Sequence, residues 1–371
     1  MSRVIVAAAL LVLTACRDSS GQHNAAERSR PQSVDQDVRR QSRDSTRRWI
    51  ATRFDTAWTL GGDAADTLLG SPARMKSVGG LLVLTDPGYH RVLALHAIDG
   101  SVAWINTQLT EGLPDRSHLL ALAPRGRHTI AVVDERNSRI TELADDGSTQ
   151  RVIAFPPQES VDAFCAVGSG LLVNSTDSLG PLYTISADGR SKTRVPFPFN
   201  EGRDLNAVAL QAQMAANPDN TRCVMGLVFG GGLALWDGAR FTRTAKYIEE
   251  MPLPIPRKHE TTKTTYGDER RGEFTVIHSE QTKLPHDAVE GALDIAATAA
   301  RIRVLFFGRT ALRGRIVDDY DAHTLAYLGS RLLPFFGQML AAPSPDMIVI
   351  LTERHTYPML VALTPHVEVR K

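Results

Sequence analysis

The sequence predicts an all-β protein, a six-bladed β-propeller preceded by a signal peptide and a disordered tether. Three observations lead to this prediction. The first sixteen residues join a positive start to a short apolar run, and residues 17–53 are polar and lack periodicity. From residue 54 onward, short β-branched runs separated by turns recur. Their period of about 40–50 residues is typical of four-stranded propeller blades.

Composition limits the classes of function. The chain has 371 residues, of which 43% are hydrophobic and 22% charged, which is typical of a soluble globular protein with an ample core. The formal net charge is +1. Because no strongly basic field exists to attract phosphate, we predict no nucleic-acid partner.

Residues 1–15 have the features of a signal peptide. A ten-residue apolar run at positions 4–13 follows Arg3, and Cys16 ends the sequence Leu-Thr-Ala-Cys. The run is too short to cross a bilayer, which takes about 20 residues in a helix. Leu-Thr-Ala-Cys resembles the lipobox of bacterial lipoproteins, which implies that Cys16 is acylated and attaches the protein to a membrane. An ordinary secretory signal with an incidental cysteine is the alternative.

The residue after the cysteine bears on location. Arg17 stands where an Asp retains many enterobacterial lipoproteins at the inner membrane. The resemblance therefore favours the outer membrane over the inner one, with the protein facing the periplasm or the cell surface.

Residues 16–53 are predicted to be the lipidated cysteine and a disordered tether. The part from residue 17 onward contains nine Arg and five acidic residues but few apolar ones. Such a segment cannot bury enough surface to offset its ordering entropy. We therefore expect that residues before about position 54 can be removed without loss of folding.

Residues 54–371 are predicted to form the propeller. Four Asp-Gly pairs, each between two apolar strand-like runs, indicate hairpin turns that need positive φ; they are Asp99-Gly100, Asp146-Gly147, Asp188-Gly189 and Asp237-Gly238. Two further units lack the Asp-Gly pair, which makes six units in all.

We expect the early run Phe-Asp-Thr-Ala-Trp-Thr-Leu to complete the last blade, since closure leaves no open blade edge. A long insert at about 243–286 contains a polar hairpin.

The second unit resembles an NHL repeat. Asp134 ends a strand, Asn137 lies in the following loop, and Arg139 with Ile140 opens the next strand. The first unit matches less fully, with Asp86 and Arg91 in place. The resemblance implies a six-bladed propeller of the NHL kind, in which these residues belong to the blade scaffold.

Cys165 and Cys223 lie in apolar strand-like runs. Export permits a disulfide between them, but the apolar surroundings favour two buried free thiols.

No motif in the sequence identifies a catalytic site, so we look to the central channel. The inner strand of each blade lines that channel, and this places four polar residues at or near it: His118, Asp162, Asn206 and Asp294. They are the candidate ligand-binding residues. A divalent metal held there, as in gluconolactonase-like and amidating-lyase propellers, is the second interpretation. Polar groups that only cap strand ends are the third.

The sequence therefore predicts a membrane-anchored envelope lipoprotein. Its propeller would bind a small molecule or an envelope protein, or act as a scaffold, without a cofactor. A metal-dependent hydrolase or lyase that uses the central channel is the alternative.

Overall fold

A computed structural model describes residues 46–64, 68–110, 119–134, 138–154, 161–175, 181–199, 207–255, 257–267 and 274–367. For residues 110, 119, 120, 207, 208, 257–267 and 274–283, only the backbone is described. The described residues form 26 β-strands and three short 3₁₀ turns. Twenty-four of the strands form six four-stranded antiparallel sheets, and the other two form a hairpin. The prediction of an all-β, six-bladed propeller is confirmed.

The blades follow one another along the chain, and each runs from an inner to an outer strand. Blade 1 comprises β2 (Arg74–Val78), β3 (Leu81–Asp86), β4 (Arg91–His96) and β5 (Val102–Asn106); blade 2 comprises β6 (Leu119–Pro124), β7 (Thr129–Asp134), β8 (Arg139–Ala144) and β9 (Thr149–Ala154). Blade 3 comprises β10 (Ala163–Val167), β11 (Gly170–Asn174), β12 (Leu182–Ile185) and β13 (Lys192–Arg194); blade 4 comprises β14 (Ala212–Ala216), β15 (Cys223–Leu227), β16 (Gly232–Trp236) and β17 (Phe241–Lys246). Blade 5 comprises β20 (Ala292–Ala297), β21 (Arg301–Phe306), β22 (Ile316–Asp321) and β23 (Tyr327–Leu332); blade 6 comprises β24 (Met339–Ser344), β25 (Met347–Arg354), β26 (Tyr357–Val367) and β1 (Thr52–Gly61). The 3₁₀ turns are Pro87–Tyr89, Gln108–Thr110 and Ala207–Leu210.

The inner strands form a closed ring. They contact one another in the order β2, β6, β10, β14, β20, β24 and back to β2. Six buried apolar clusters lie between neighbouring blades, one at each junction. The core is therefore divided into six wedges around a central channel, and every blade buries apolar residues on both faces.

The alternating strand directions give the ring two faces. We call upper the face where the inner strands begin, which also carries the connections from the second to the third strand of each blade. The lower face carries the first-to-second and third-to-fourth connections.

The Asp-Gly pairs form the lower-face turns between the third and fourth strands. Asp146 Oδ1 accepts hydrogen bonds from the Ser148 amide and hydroxyl at 2.9 and 2.6 Å. These bonds lower the pKa of Asp146. Gly147 has φ 81°, and a Cβ there would lie 2.7 Å from the Trp104 ring of the preceding blade. The predicted hairpin turns are confirmed, and the glycine also makes room for the neighbouring blade.

Strand β1 closes the ring by pairing antiparallel with β26, from Thr52 opposite Val367 to Gly61 opposite Met359. The predicted closure through an early strand is confirmed. Trp58 of β1 donates from Nε1 to the Ala97 carbonyl at 3.0 Å, which also attaches blade 6 to blade 1.

Each of the two NHL-like units contains an ion pair between an aspartate and an arginine. In blade 1, Arg91 Nε lies 3.4 Å from Asp86 Oδ2, and in blade 2, Arg139 Nη2 lies 3.3 Å from Asp134 Oδ2. Each pair fastens the start of the third strand to the end of the second. Asn137 lies outside the described residues, and membership of the NHL type stays a prediction.

The insert begins later than the sequence suggested. Residues 243–246 belong to β17, the outer strand of blade 4. A separate hairpin follows, formed by β18 (Arg257–Gly267) and β19 (Phe274–Lys283). The predicted polar hairpin is confirmed, and its position between an outer and an inner strand places it on the upper face.

Cys165 and Cys223 form a disulfide with Cα atoms 6.1 Å apart. The expectation of free thiols is wrong because β10 and β15 lie in neighbouring blades, where their buried cysteines meet within the same apolar cluster. The apolar sequence context predicted burial correctly but could not predict this proximity between blades. The bridge links blade 3 to blade 4.

The predicted tether ends too far along the chain. Residues 46–50, which we call the clasp, pack on the ring. Arg47 is buried and places its Nη2 3.0 Å from Asp318 Oδ2 and its Nη1 2.8 Å from Glu249 Oε2. The Arg47 guanidinium also lies 4.6 Å from the centroid of the Phe306 ring. A buried ion pair cannot be recognised from the composition of a polar segment.

Backbone hydrogen bonds hold the clasp along the outer strand of blade 5. Ile50 N donates to the Ser330 carbonyl at 2.8 Å, and Ser330 N donates to the Arg48 carbonyl at 2.9 Å. A Cβ on Gly329 would meet the Ile50 side chain at 2.7 Å. The clasp therefore packs on the ring, and we expect residues 46–50 to contribute to folding, unlike the rest of the predicted tether. Residues 1–45, with Cys16 and most of the predicted tether, lie outside the described residues.

Candidate functional site

Among the described residues, four charged side chains from alternate blades lie in the central channel. Arg74 and Lys76 lie on β2 of blade 1, Asp162 immediately precedes β10 of blade 3, and Asp294 lies on β20 of blade 5. The cations of blade 1 reach across the axis and contact blades 3 and 5. We call this set the channel quartet.

Lys76 and Asp294 form a buried pair in the middle of the channel. Lys76 Nζ lies 2.8 Å from Asp294 Oδ1 and donates to the Ile295 carbonyl at 3.1 Å. The amide of Ile295 donates to Asp294 Oδ1 at 2.8 Å, and the amide of Leu340 donates to Oδ2 at 3.0 Å. Both oxygens of Asp294 are therefore satisfied within the protein. This pair forms the floor of the site.

Arg74 and Asp162 lie above the floor, at the upper mouth of the channel, and both are half-buried. Arg74 Nη1 donates to the Ala73 carbonyl at 2.8 Å, and Nη2 donates to the Asp162 carbonyl at 3.3 Å. The guanidinium is thus held by backbone oxygens and lies near the Asp162 carboxylate. Asp162 Oδ2 has no hydrogen-bond partner among the described residues.

The backbone fixes the position of both mouth residues. Asp162 N donates to the Asn174 carbonyl at 3.0 Å, and Ala73 N donates to the Thr85 carbonyl at 2.9 Å. Val161, buried between blades 2 and 3, anchors the chain just before Asp162. The site is therefore built on rigid strand ends, which favours precise recognition.

Burial favours the neutral form of both Asp162 and Arg74 and shifts the pKa of each group accordingly. Desolvation raises the pKa of Asp162 from 3.8 to about 6, although the nearby Arg74 charge opposes the shift. Desolvation also lowers the pKa of Arg74, against the attraction of Asp294 and Asp162. For this carboxylate, the cost of desolvation exceeds the attraction of the adjacent cation.

Asp162 and Asp294, two of the four predicted residues, are thus brought together in the channel. His118 and Asn206 lie outside the described residues. The sequence-based search missed Arg74 and Lys76. Their signal was present, because the short strand Arg-Met-Lys-Ser-Val places two cations in an inner strand.

No group of three or more His, Cys, Asp or Glu side chains able to hold a metal occurs among the described residues. The predicted ligand-binding role of the four residues stays a prediction, and so does the metal-dependent alternative. In the part of the chain that the structure describes, no helix is long and apolar enough to cross a membrane.

The lower face has two cavities of different character. A cavity of about 210 Å³ at the lower end of the channel is lined by small residues such as Gly79, Ala216 and Ala342. An open groove of about 890 Å³ lies between blades 3 and 4, with Thr184 and Asp237 in its wall. The groove is also lined by Arg125 and Asp219, and Arg125 Nη1 lies 2.6 Å from Glu142 Oε1.

The fold and the channel define a six-bladed β-propeller with a charged central channel. No protein-family model matches the chain, and no curated protein matches it in sequence. Solved structures resemble it at low identity. A member of the DUF4221 family from Bacteroides vulgatus is 12% identical, with a TM-score of 0.48 over 86% of this chain and 100% of the other.

Two further solved structures also resemble the chain at low identity. BamB from Moraxella catarrhalis is 12% identical, with a TM-score of 0.40 over 86% of this chain and 100% of the other. Virginiamycin B lyase from Staphylococcus aureus is 11% identical, with a TM-score of 0.47 over 84% of this chain and 99% of the other. At these values the likeness concerns the fold alone.

Proposed function

We propose that the protein is an exported, lipid-anchored envelope module that binds a small molecule or a protein at its upper face. The observation that carries the proposal is the channel mouth. There, Asp162 keeps a buried carboxylate oxygen without a partner among the described residues, beside the half-buried Arg74. Buried polar groups are normally hydrogen-bonded, so a ligand that supplies the missing donor would be favoured.

Two features support export and anchoring. The Leu-Thr-Ala-Cys sequence supplies Cys16 for acylation, and the Cys165–Cys223 disulfide suits an oxidising compartment. Detergent phase partitioning of the full chain should place it with membrane lipoproteins, and a Cys16→Ser protein should move to the aqueous phase. Equal partitioning of the two proteins would refute lipid anchoring.

The binding face can be tested by photo-crosslinking in the cells that make the protein. A crosslinking amino acid at Tyr89, which is exposed on the upper face, should give discrete adducts with a ligand or an envelope protein. The matched position is Val152, exposed on the outer strand of blade 2. Adducts that are equally frequent at both positions, or absent at Tyr89, would contradict upper-face binding.

A further inference from the structure

The channel mouth presents two opposite charges that do not neutralise each other fully. Arg74 uses two of its nitrogens to hold backbone carbonyls, and no ion pair within 4 Å joins it to the Asp162 carboxylate. Its remaining N–H groups can donate to a ligand. Asp162 Oδ2 can accept from the same ligand, because no described residue occupies it.

The charges select against ligands with a single charge. A lone anion beside Arg74 would be repelled by Asp162 and by Asp294, whose fields both reach that guanidinium. A lone cation beside Asp162 would be repelled by Arg74. In a site where water is partly excluded, such like-charge contacts weaken binding strongly. A ligand with both charges close together meets neither penalty.

The floor limits how deep such a ligand can enter. Lys76 and Asp294 are buried and already bonded to each other and to backbone groups of blades 5 and 6. A ligand therefore remains in the upper mouth, between blade 1 and blade 3, where it contacts Arg74 and Asp162.

We propose that the channel mouth binds a compact zwitterion of the α-amino acid class, with its carboxylate on Arg74 and its ammonium group on Asp162 Oδ2. This inference rests on the proposed function, because it names the ligand of the same face. Guanidinium–carboxylate pairing is directional and frequently bidentate, and it fixes one end of the ligand. The ammonium group then supplies the donor that Asp162 lacks.

The test compares L-alanine with its two halves, acetate and methylammonium, by isothermal titration calorimetry or NMR titration on the full chain in detergent. L-alanine should bind in the millimolar range or more tightly, and each half at least tenfold more weakly. Arg74→Gln should abolish alanine binding. Asp162→Asn should weaken it at least tenfold while leaving acetate binding unchanged or improved. The exposed Asp287→Asn protein is the matched control.

The other outcomes overturn the inference in distinguishable ways. Acetate binding as tight as alanine binding, together with an unaffected Asp162→Asn protein, would indicate an anion site. If no probe binds but Tyr89 still gives specific crosslinks, the ligand class is wrong and the proposed function stands. If no probe binds and Tyr89 gives no specific crosslinks, both the ligand class and the proposed function are refuted. Thermal melts of each variant verify that a loss of binding does not reflect unfolding.

Discussion

The clasp junction and the channel mouth both bury charge, but they differ in how completely that charge is compensated. At the clasp, Arg47 contacts both oxygens of Asp318, and Ser330 Oγ donates to the same carboxylate. At the mouth, Asp162 has an oxygen with no partner among the described residues. Burial raises the pKa of both aspartates.

The difference separates a structural role from a recognition role. At the clasp, the Arg47–Asp318 pair makes its hydrogen bonds within the chain, although Trp49 Nε1 has no partner among the described residues. The mouth keeps donors on Arg74 and a buried acceptor oxygen on Asp162, and both residues are half-buried. Charge burial alone therefore does not identify a functional site in this ring. The proposed recognition role of the mouth rests instead on its unsatisfied hydrogen-bonding capacity.

The largest expected effect comes from removing the cation at the clasp. Arg47→Leu leaves Asp318 buried without its partner, which should lower the free energy of unfolding by about 3–5 kcal/mol. A protein that begins at residue 53 should lose a similar amount, whereas one that begins at residue 46 should not. Urea or thermal unfolding checks these values, and the melting midpoint should fall by about 10 °C.

Two matched variants sharpen this result. Arg48→Leu changes the neighbouring arginine, whose side chain is exposed, and should alter stability by less than about 0.5 kcal/mol. An Arg47→Leu, Asp318→Asn double variant removes both charges and should recover part of the loss. A loss for Arg48→Leu as large as for Arg47→Leu would show that the buried ion pair does not hold the clasp.

The next largest effect is expected at the channel floor. Lys76→Met removes one of three donors to Asp294 but leaves the two backbone amides. We expect a loss of about 2–3 kcal/mol, smaller than at the clasp, because these amides still stabilise the carboxylate. Lys246→Met, in an exposed pair with Glu250, is the control. A loss that matches the clasp variant would mean that the amides contribute little.

Local sequence patterns predicted much of the fold, but they did not predict the contacts between distant segments. The Asp-Gly pairs identified four blade turns because a positive-φ glycine and a turn-capping aspartate are local requirements. The Cys165–Cys223 bridge, the Arg47–Asp318 pair and the Lys76–Asp294 pair join segments 58, 271 and 218 residues apart. No short pattern encodes such pairings. Asp162 and Asp294 were found because the order of strands in a blade indicates which strand is innermost.

The smallest expected effect is a gain in stability at the mouth. The folded protein raises the pKa of Asp162 from 3.8 to about 6. Between these values the folded state binds more protons than the unfolded state, so stability falls as the pH rises. Asp162→Asn removes the ionisable group and its desolvation cost. Because the side chain is half-buried and partly screened, we expect a gain of about 1–2 kcal/mol at pH 7.5. At pH 3.5, where the aspartate is largely protonated in both states, the gain should fall to about 0.2 kcal/mol. Unfolding curves at the two pH values check this, with the exposed Asp287→Asn as control. A pH-independent effect, or a loss at pH 7.5, would show that Arg74 already satisfies Asp162, and the contrast between mouth and clasp would disappear.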